Sequence, residues 1–135
     1  MSKIQSVLFI LMICAAISGC GSKEVKEEKI RDIDFTVADE AELPDELLSQ
    51  INEAKSEPFQ LTYMDQGYLY IAVGYGKQDT SGYSIRVKEC SEGKTQIRFL
   101  TELVGPEPGE KTVKADTWPW IAVKMEETDK AVTFR

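Results

Sequence analysis

Apolar residues follow three rhythms along this chain, and each rhythm predicts a different structure. From Ile4 to Ile17 nearly every residue is apolar, Gln5 and Ser6 excepted, with an unbroken core from Val7 to Ile17. A membrane-spanning helix needs roughly 20 such residues, so this shorter run, preceded by Lys3, predicts a signal peptide over residues 1–19. The pattern then vanishes: Gly21 to about Asp32 has almost no side chain to bury, the composition of an unfolded tether. From Ile33 the strand period of two takes over, with Ile33, Phe35 and Val37 alternating against Asp34 and Thr36.

A helical rhythm interrupts only once. Leu47, Leu48, Ile51 and Ala54 recur at helix spacing behind Pro44, Asp45 and Glu46. Proline suits the first helical position, and the acids suit the positive end of the helix dipole. Glu57-Pro58 ends the run, because a residue before proline avoids helical angles. The expected helix covers about 44–56. Strands are expected at Phe59–Asp65, Tyr68–Tyr75, Gly82–Cys90, Thr95–Val104, Trp118–Met125 and Ala131–Phe134. Gln66-Gly67 reads as a hairpin turn. Tyr68–Tyr75 is apolar on both faces, as befits a central strand covered on both sides. Together these predict an α+β domain over residues 32–135, with one helix packed on a curled, mainly antiparallel sheet of about six to seven short strands.

The apolar run ends Ile17-Ser18-Gly19-Cys20. Small residues followed by cysteine at the close of a signal peptide resemble the bacterial lipobox, so Cys20 is the expected lipidation site. Residues 20–31 are then the lipidated cysteine and its tether. Two acyl chains anchor a protein stably where one does not. The expected location is the extracytoplasmic face of a cell membrane, reached through the lipid alone. Of three cysteines, Cys14 leaves with the signal peptide and Cys20 carries lipid, so Cys90 has no partner for an internal disulfide. Its place at the end of an alternating strand favours a small packed residue over a reactive thiol.

Net charge and residue types exclude several functions. At −7 the chain is repelled by nucleic acid phosphates. It has no histidine, which removes the Ser-His-Asp triad, the Cys-His pair and the commonest zinc ligand. No phosphate-binding glycine loop is present. Asp32 and Asp34 would share a strand face, but no calcium-loop spacing follows them. Carboxylate pairs and the lysines near Ser84 carry no spacing that singles out a site. No catalytic residue, metal or cofactor is expected.

Two features could bind a partner. Gly74 to Tyr83 joins two strongly patterned strands and is rich in glycine, hydroxyl and amide. Gly76, Gln78, Thr80, Ser81, Gly82 and Tyr83 are its candidate contacts, and the open alternative is a plain hairpin loop. The second feature is aromatic: Tyr68 and Tyr70 share one strand face, and Trp118 and Trp120 share another. Solvent-facing, they form a recognition surface; otherwise they are core. Pro119 between the tryptophans favours an edge or a strand start, and an edge there would be open to a partner's strand.

The run Tyr70-Ile-Ala-Val-Gly-Tyr-Gly-Lys77, then Thr80-Ser-Gly-Tyr-Ser-Ile-Arg-Val87, resembles the protease complex subunit PrcB family in its C-terminal domain. Gly105-Pro106-Glu107-Pro108-Gly109, Trp118-Pro119-Trp120 and Val132-Thr133-Phe134 are similar too. Ser81 stands where the family usually has glycine. The resemblance implies a non-enzymatic lipoprotein that associates with an extracellular subtilisin-like protease and aids its assembly or stability. The alternative from the residues themselves is a small-ligand or glycan-binding lipoprotein that uses the aromatic surface.

Overall fold

The computed structural model describes residues 27–135. The expected signal peptide, Cys20 and residues 21–26 lie outside the described residues. The chain runs through β1 (Lys29–Asp32), β2 (Thr36–Val37), a 3₁₀ turn (Glu40–Glu42), α1 (Asp45–Ala54), β3 (Pro58–Asp65), β4 (Tyr68–Tyr75), β5 (Ser84–Gly93), β6 (Gln96–Val104), β7 (Trp120–Glu126) and β8 (Ala131–Thr133).

The α+β reading holds, but the expected single curled sheet is two four-stranded sheets. Their orders are β1-β5-β6-β8 and β2-β7-β4-β3. All pairs are antiparallel except β6 with β8. Strand periodicity fixes which side chains share a face, but not which strand lies alongside, and so one sheet could not be told from two.

Three layers result. Between the sheets Leu69, Ile71, Val73, Cys90, Phe99, Val123 and Met125 form one core. On the other face of the second sheet, Leu47 and Ile51 of α1 close over Tyr70, Ala72 and Ala122. Both helix residues are completely buried, which contributes about 1.5–3 kcal/mol each. The two-faced apolar pattern of β4 therefore has its expected cause, with a sheet on one side and the helix on the other. The outer face of the first sheet stays polar, with Arg86 on Glu102 and Arg98 beside Glu89.

Local chemistry sets the ends of the elements. Asp45 and Glu46 occupy the first turn of α1. Pro58 stops the chain from continuing as helix and opens β3, an edge strand in which its missing N–H costs no ladder bond. Gln66 and Gly67 both take positive φ, 49° and 85°, the pattern of a tight hairpin that matches strand twist.

The N-terminal part departs from the sequence reading. The tether expected to run to about Asp32 is strand from Lys29 onward, paired with β5. Of the strand expected over Ile33–Val37, only Thr36–Val37 pairs, as β2 with β7, and Ile33–Phe35 is a crossing between the sheets. Ile33 donates its N–H to the Cys90 carbonyl of the first sheet, and Ala38 donates to Ala122 of the second. Ile33 and Phe35 pack between the sheets on the way, whereas Val37 is exposed. An extended crossing that runs into a short strand keeps a period of two throughout, which is why the pattern reads as one strand.

Candidate functional site

The chain changes sheets at both ends of the molecule. At one end it does so through its two longest connections, residues 76–83 and 105–119, and the structure ties these to each other. Gln78 and Thr117 exchange both backbone bonds, at 2.7 and 2.9 Å. Ser81 donates its N–H to the Val113 carbonyl at 3.0 Å, and the Val113 N–H returns a bond to Ser81 Oγ at 2.8 Å. Thr117 Oγ1 donates to the Thr80 carbonyl, and Lys77 pairs loosely with Asp116. The result is a short arm of two segments extending from both sheets.

The two glycines in the loop have backbone reasons to be there. Gly76 has φ 71° and Gly82 has φ 92°, angles that side chains rarely adopt. A Cβ on Gly76 would also press on Pro58, and one on Gly82 would press on Pro106. Tyr83 lies against Gly105 where the two loops leave the first sheet. Gly76, Gln78, Thr80, Ser81, Gly82 and Tyr83 thus all belong to one feature. Ser81 uses its hydroxyl to hold the opposite loop.

The aromatic pairs separate. Trp120 packs into the helix-side core, while Trp118, two residues earlier, is 42% exposed beside the arm. Tyr70 is buried, whereas Tyr68 is 41% exposed with the Lys124 ammonium 3.9 Å above its ring. Tyr68 stands at the opposite end of β4 from Gly74, which pairs with Trp120. No continuous aromatic platform forms from these four residues, because α1 and its core fill the space between. β7 lies between β2 and β4, but β2 covers only Val123 and Lys124, and Pro119 stands immediately before the start of β7 at Trp120. Unpaired positions include the outer side of β3 and the stretch of β6 beyond Arg98, where β8 stops.

A cavity of about 360 Å³ opens there, between the edges of the two sheets. Phe59, Tyr75, Phe99 and Phe134 line it, and the Tyr75 and Thr101 hydroxyls meet across it at 2.6 Å. The sequence pattern did not reveal this site, because its walls come from four elements far apart in the chain. Val113, exposed at the tip of the arm, was also missed, lying in a polar stretch with no period.

Among the described residues no group of His, Cys, Asp or Glu is arranged to hold a metal ion, and no helix is long and apolar enough to cross a membrane. Cys90 is buried, and that burial, with the nearby charge of Asp32, pushes its thiol up to about 11. Such a thiol stays protonated and unreactive near neutral pH.

These features define a helix–sheet–sheet domain whose two longest loops are joined into an arm at one end. Residues 69–126 match the family described as PrcB C-terminal. The matched span runs from β4 through β7 and includes both segments of the arm. The covering helix, β1–β3 and β8 lie outside the match. No curated protein and no solved structure matches the chain.

Proposed function

We propose that this protein is an extracytoplasmic lipoprotein, acylated at Cys20, whose domain is a non-catalytic interaction module. Its role is that of an accessory or assembly subunit of a surface protease. The PrcB C-terminal match carries this reading, because the matched span contains the whole arm. The docking surface is the arm together with Trp118. Trp118 and Val113 are large apolar side chains exposed there, and exposed tryptophans are the residues on which interfaces most often depend. The arm is already tied by its own backbone bonds, so little ordering cost accompanies binding.

The test is crosslinking on intact cells, then detergent extraction, pull-down on this protein and mass spectrometry. An extracellular protease should appear with the natural protein. It should be lost, through binding about thirtyfold weaker, with Trp118→Asp present at normal abundance. An eluate holding only the bait would refute the accessory-subunit reading. Cys20→Ala tests the anchor separately and should release the protein from membranes or block its maturation.

The aromatic cavity favours one other reading, a small-ligand lipoprotein. Its volume falls at the low end for ligand sites, roughly 300–1,000 Å³. The residues involved would be Phe59, Tyr75, Phe99 and Phe134, not the Tyr68, Tyr70, Trp118 and Trp120 set. Quenching of intrinsic fluorescence by an apolar ligand, abolished by filling the cavity with Thr101→Phe, would support it.

A further inference from the structure

The turn between β5 and β6 holds a carboxylate. Glu27 accepts hydrogen bonds from the Thr95 N–H at 2.9 Å, from the Thr95 hydroxyl, and from the Gln96 N–H at 3.2 Å. The Thr95 hydroxyl, then its amide, hold this carboxyl below its ordinary value of 4.5. Gly93 leaves the space: a Cβ there would lie 3.2 Å from the Glu27 carboxyl carbon and closer still to one of its oxygens. Bare backbone at 93 and three donors at 95–96 thus receive one side chain from 66 or more residues earlier.

The strand next to Glu27 has little else to hold it. All four side chains of β1 are exposed, and Ile30 is 62% exposed. Besides its ladder, β1 is tied across to β5 by an ion pair, Arg31 to Glu92 at 2.7 Å. A strand that buries no apolar side chain belongs to the least stable part of a fold.

We propose that Glu27 is a clasp that fixes where the domain joins its tether. The inference rests on the reading of Cys20 as the anchor. With the clasp closed, the seven residues after Cys20, up to Glu27, can reach at most about 25 Å. With it open and β1 released, the span reaches Ile33 and about 45 Å. The clasp also sets orientation. It sits at the turn end of the β5–β6 hairpin, whereas the arm leaves the other end, where Ser84 pairs with Val104. A nine-residue strand separates them, about 30 Å. A closed clasp therefore keeps the turn end toward the membrane and presents the arm outward.

Hydrogen exchange on the full-length protein in detergent tests this, read peptide by peptide. Glu27→Ala should accelerate exchange at Ile30–Asp32 about tenfold and leave β4 and β7 unchanged. Gly93→Ala should do the same with Glu27 intact, because the added methyl occupies the carboxylate's place. Unchanged exchange at β1 in both variants would overturn the clasp, and so would a uniform acceleration across the domain. Membrane fractionation of the same proteins reports on the anchor alone. Protein found free of membranes whatever stands at position 27 would overturn the anchored reading while leaving the exchange result to judge the clasp.

Discussion

Gly74 ends the apolar run of β4, and the structure gives it a specific task. It pairs with Phe59 on one side and Trp120 on the other. A Cβ at 74 would lie 2.6 Å from Phe59 Cδ1 and 3.0 Å from Cζ, with Cε1 nearer still. Real carbon contacts sit near 3.5–4.0 Å, so the ring must swing by about 1 Å or more. Phe59 packs against the helix-side core, so the swing disturbs Tyr63 and Leu61 beside it. Overpacking of this kind costs about 1–3 kcal/mol. Replacing glycine within a strand returns about 0.5–1 kcal/mol from backbone entropy. At the middle of each range, about 2 less about 0.75, Gly74→Ala should lose about 1.2 kcal/mol. With a urea slope of about 1.5 kcal/mol per molar, the midpoint should fall by about 0.8 M. A second substitution separates crowding from a loss of backbone freedom. Phe59→Ala removes all the obstructing ring atoms, so Gly74→Ala made in that background should be neutral or stabilising. An unchanged midpoint for Gly74→Ala alone, or equal losses in both backgrounds, would refute the packing argument.

Two further outcomes concern titratable groups. Cys90, with its thiol pushed up to about 11 by burial, should resist alkylation in the folded protein at pH 8 and react promptly in urea; rapid labelling without denaturant would contradict the packing. Glu92 is held below its ordinary 4.5 mainly by the Lys130 ammonium and then by Arg31. A depressed carboxylate adds stability that is present above the unfolded value and lost as pH falls through the folded one. Melting temperature should thus decline below about pH 4.5, and Glu92→Gln should flatten that decline. Glu27 and Glu102 are also held below the ordinary value, by the Thr95 donors and by Arg86, so a residual slope from them is expected. A full-sized slope in Glu92→Gln would show that the ion pair contributes nothing.

The parts of the fold visible in the sequence are those made by apolar side chains at regular spacing. Leu47 and Ile51 announce the helix, and Tyr68–Tyr75 announces a strand covered twice. Other forces hold the parts that stayed hidden. β1 has no buried side chain; backbone pairing, Arg31 and the Glu27 carboxylate hold it, and no hydrophobic period records these. The division into two sheets depends on which strands meet, and alternation is silent about that. In the site, Gly76 and Gly82 could be read as a turn, but the partner segment could not. Residues 110–117 are attached through backbone bonds and the hydroxyls of Ser81 and Thr117. The two tryptophans have identical spacing and opposite fates, because the helix-side core encloses Trp120 and does not reach Trp118.

The arm's place in the connectivity bears on how it can act. Its two segments are two of the crossings between the sheets, one from β4 to β5 and the other from β6 to β7. Their mutual bonds therefore fasten one sheet to the other at that end. Beside them the Tyr75 and Thr101 hydroxyls add a polar link across the gap. A partner seated on the arm would press on a support shared by both sheets, whereas one seated on α1 would meet only the layer covering the second sheet. Rigid support of this kind favours recognition by a preformed surface over folding upon binding. On the proposed docking reading, the arm's glycines would act without touching a partner. Substitution at Gly76 or Gly82 alters the backbone path of a crossing, so its effect on binding would come through the position of Trp118 and Val113.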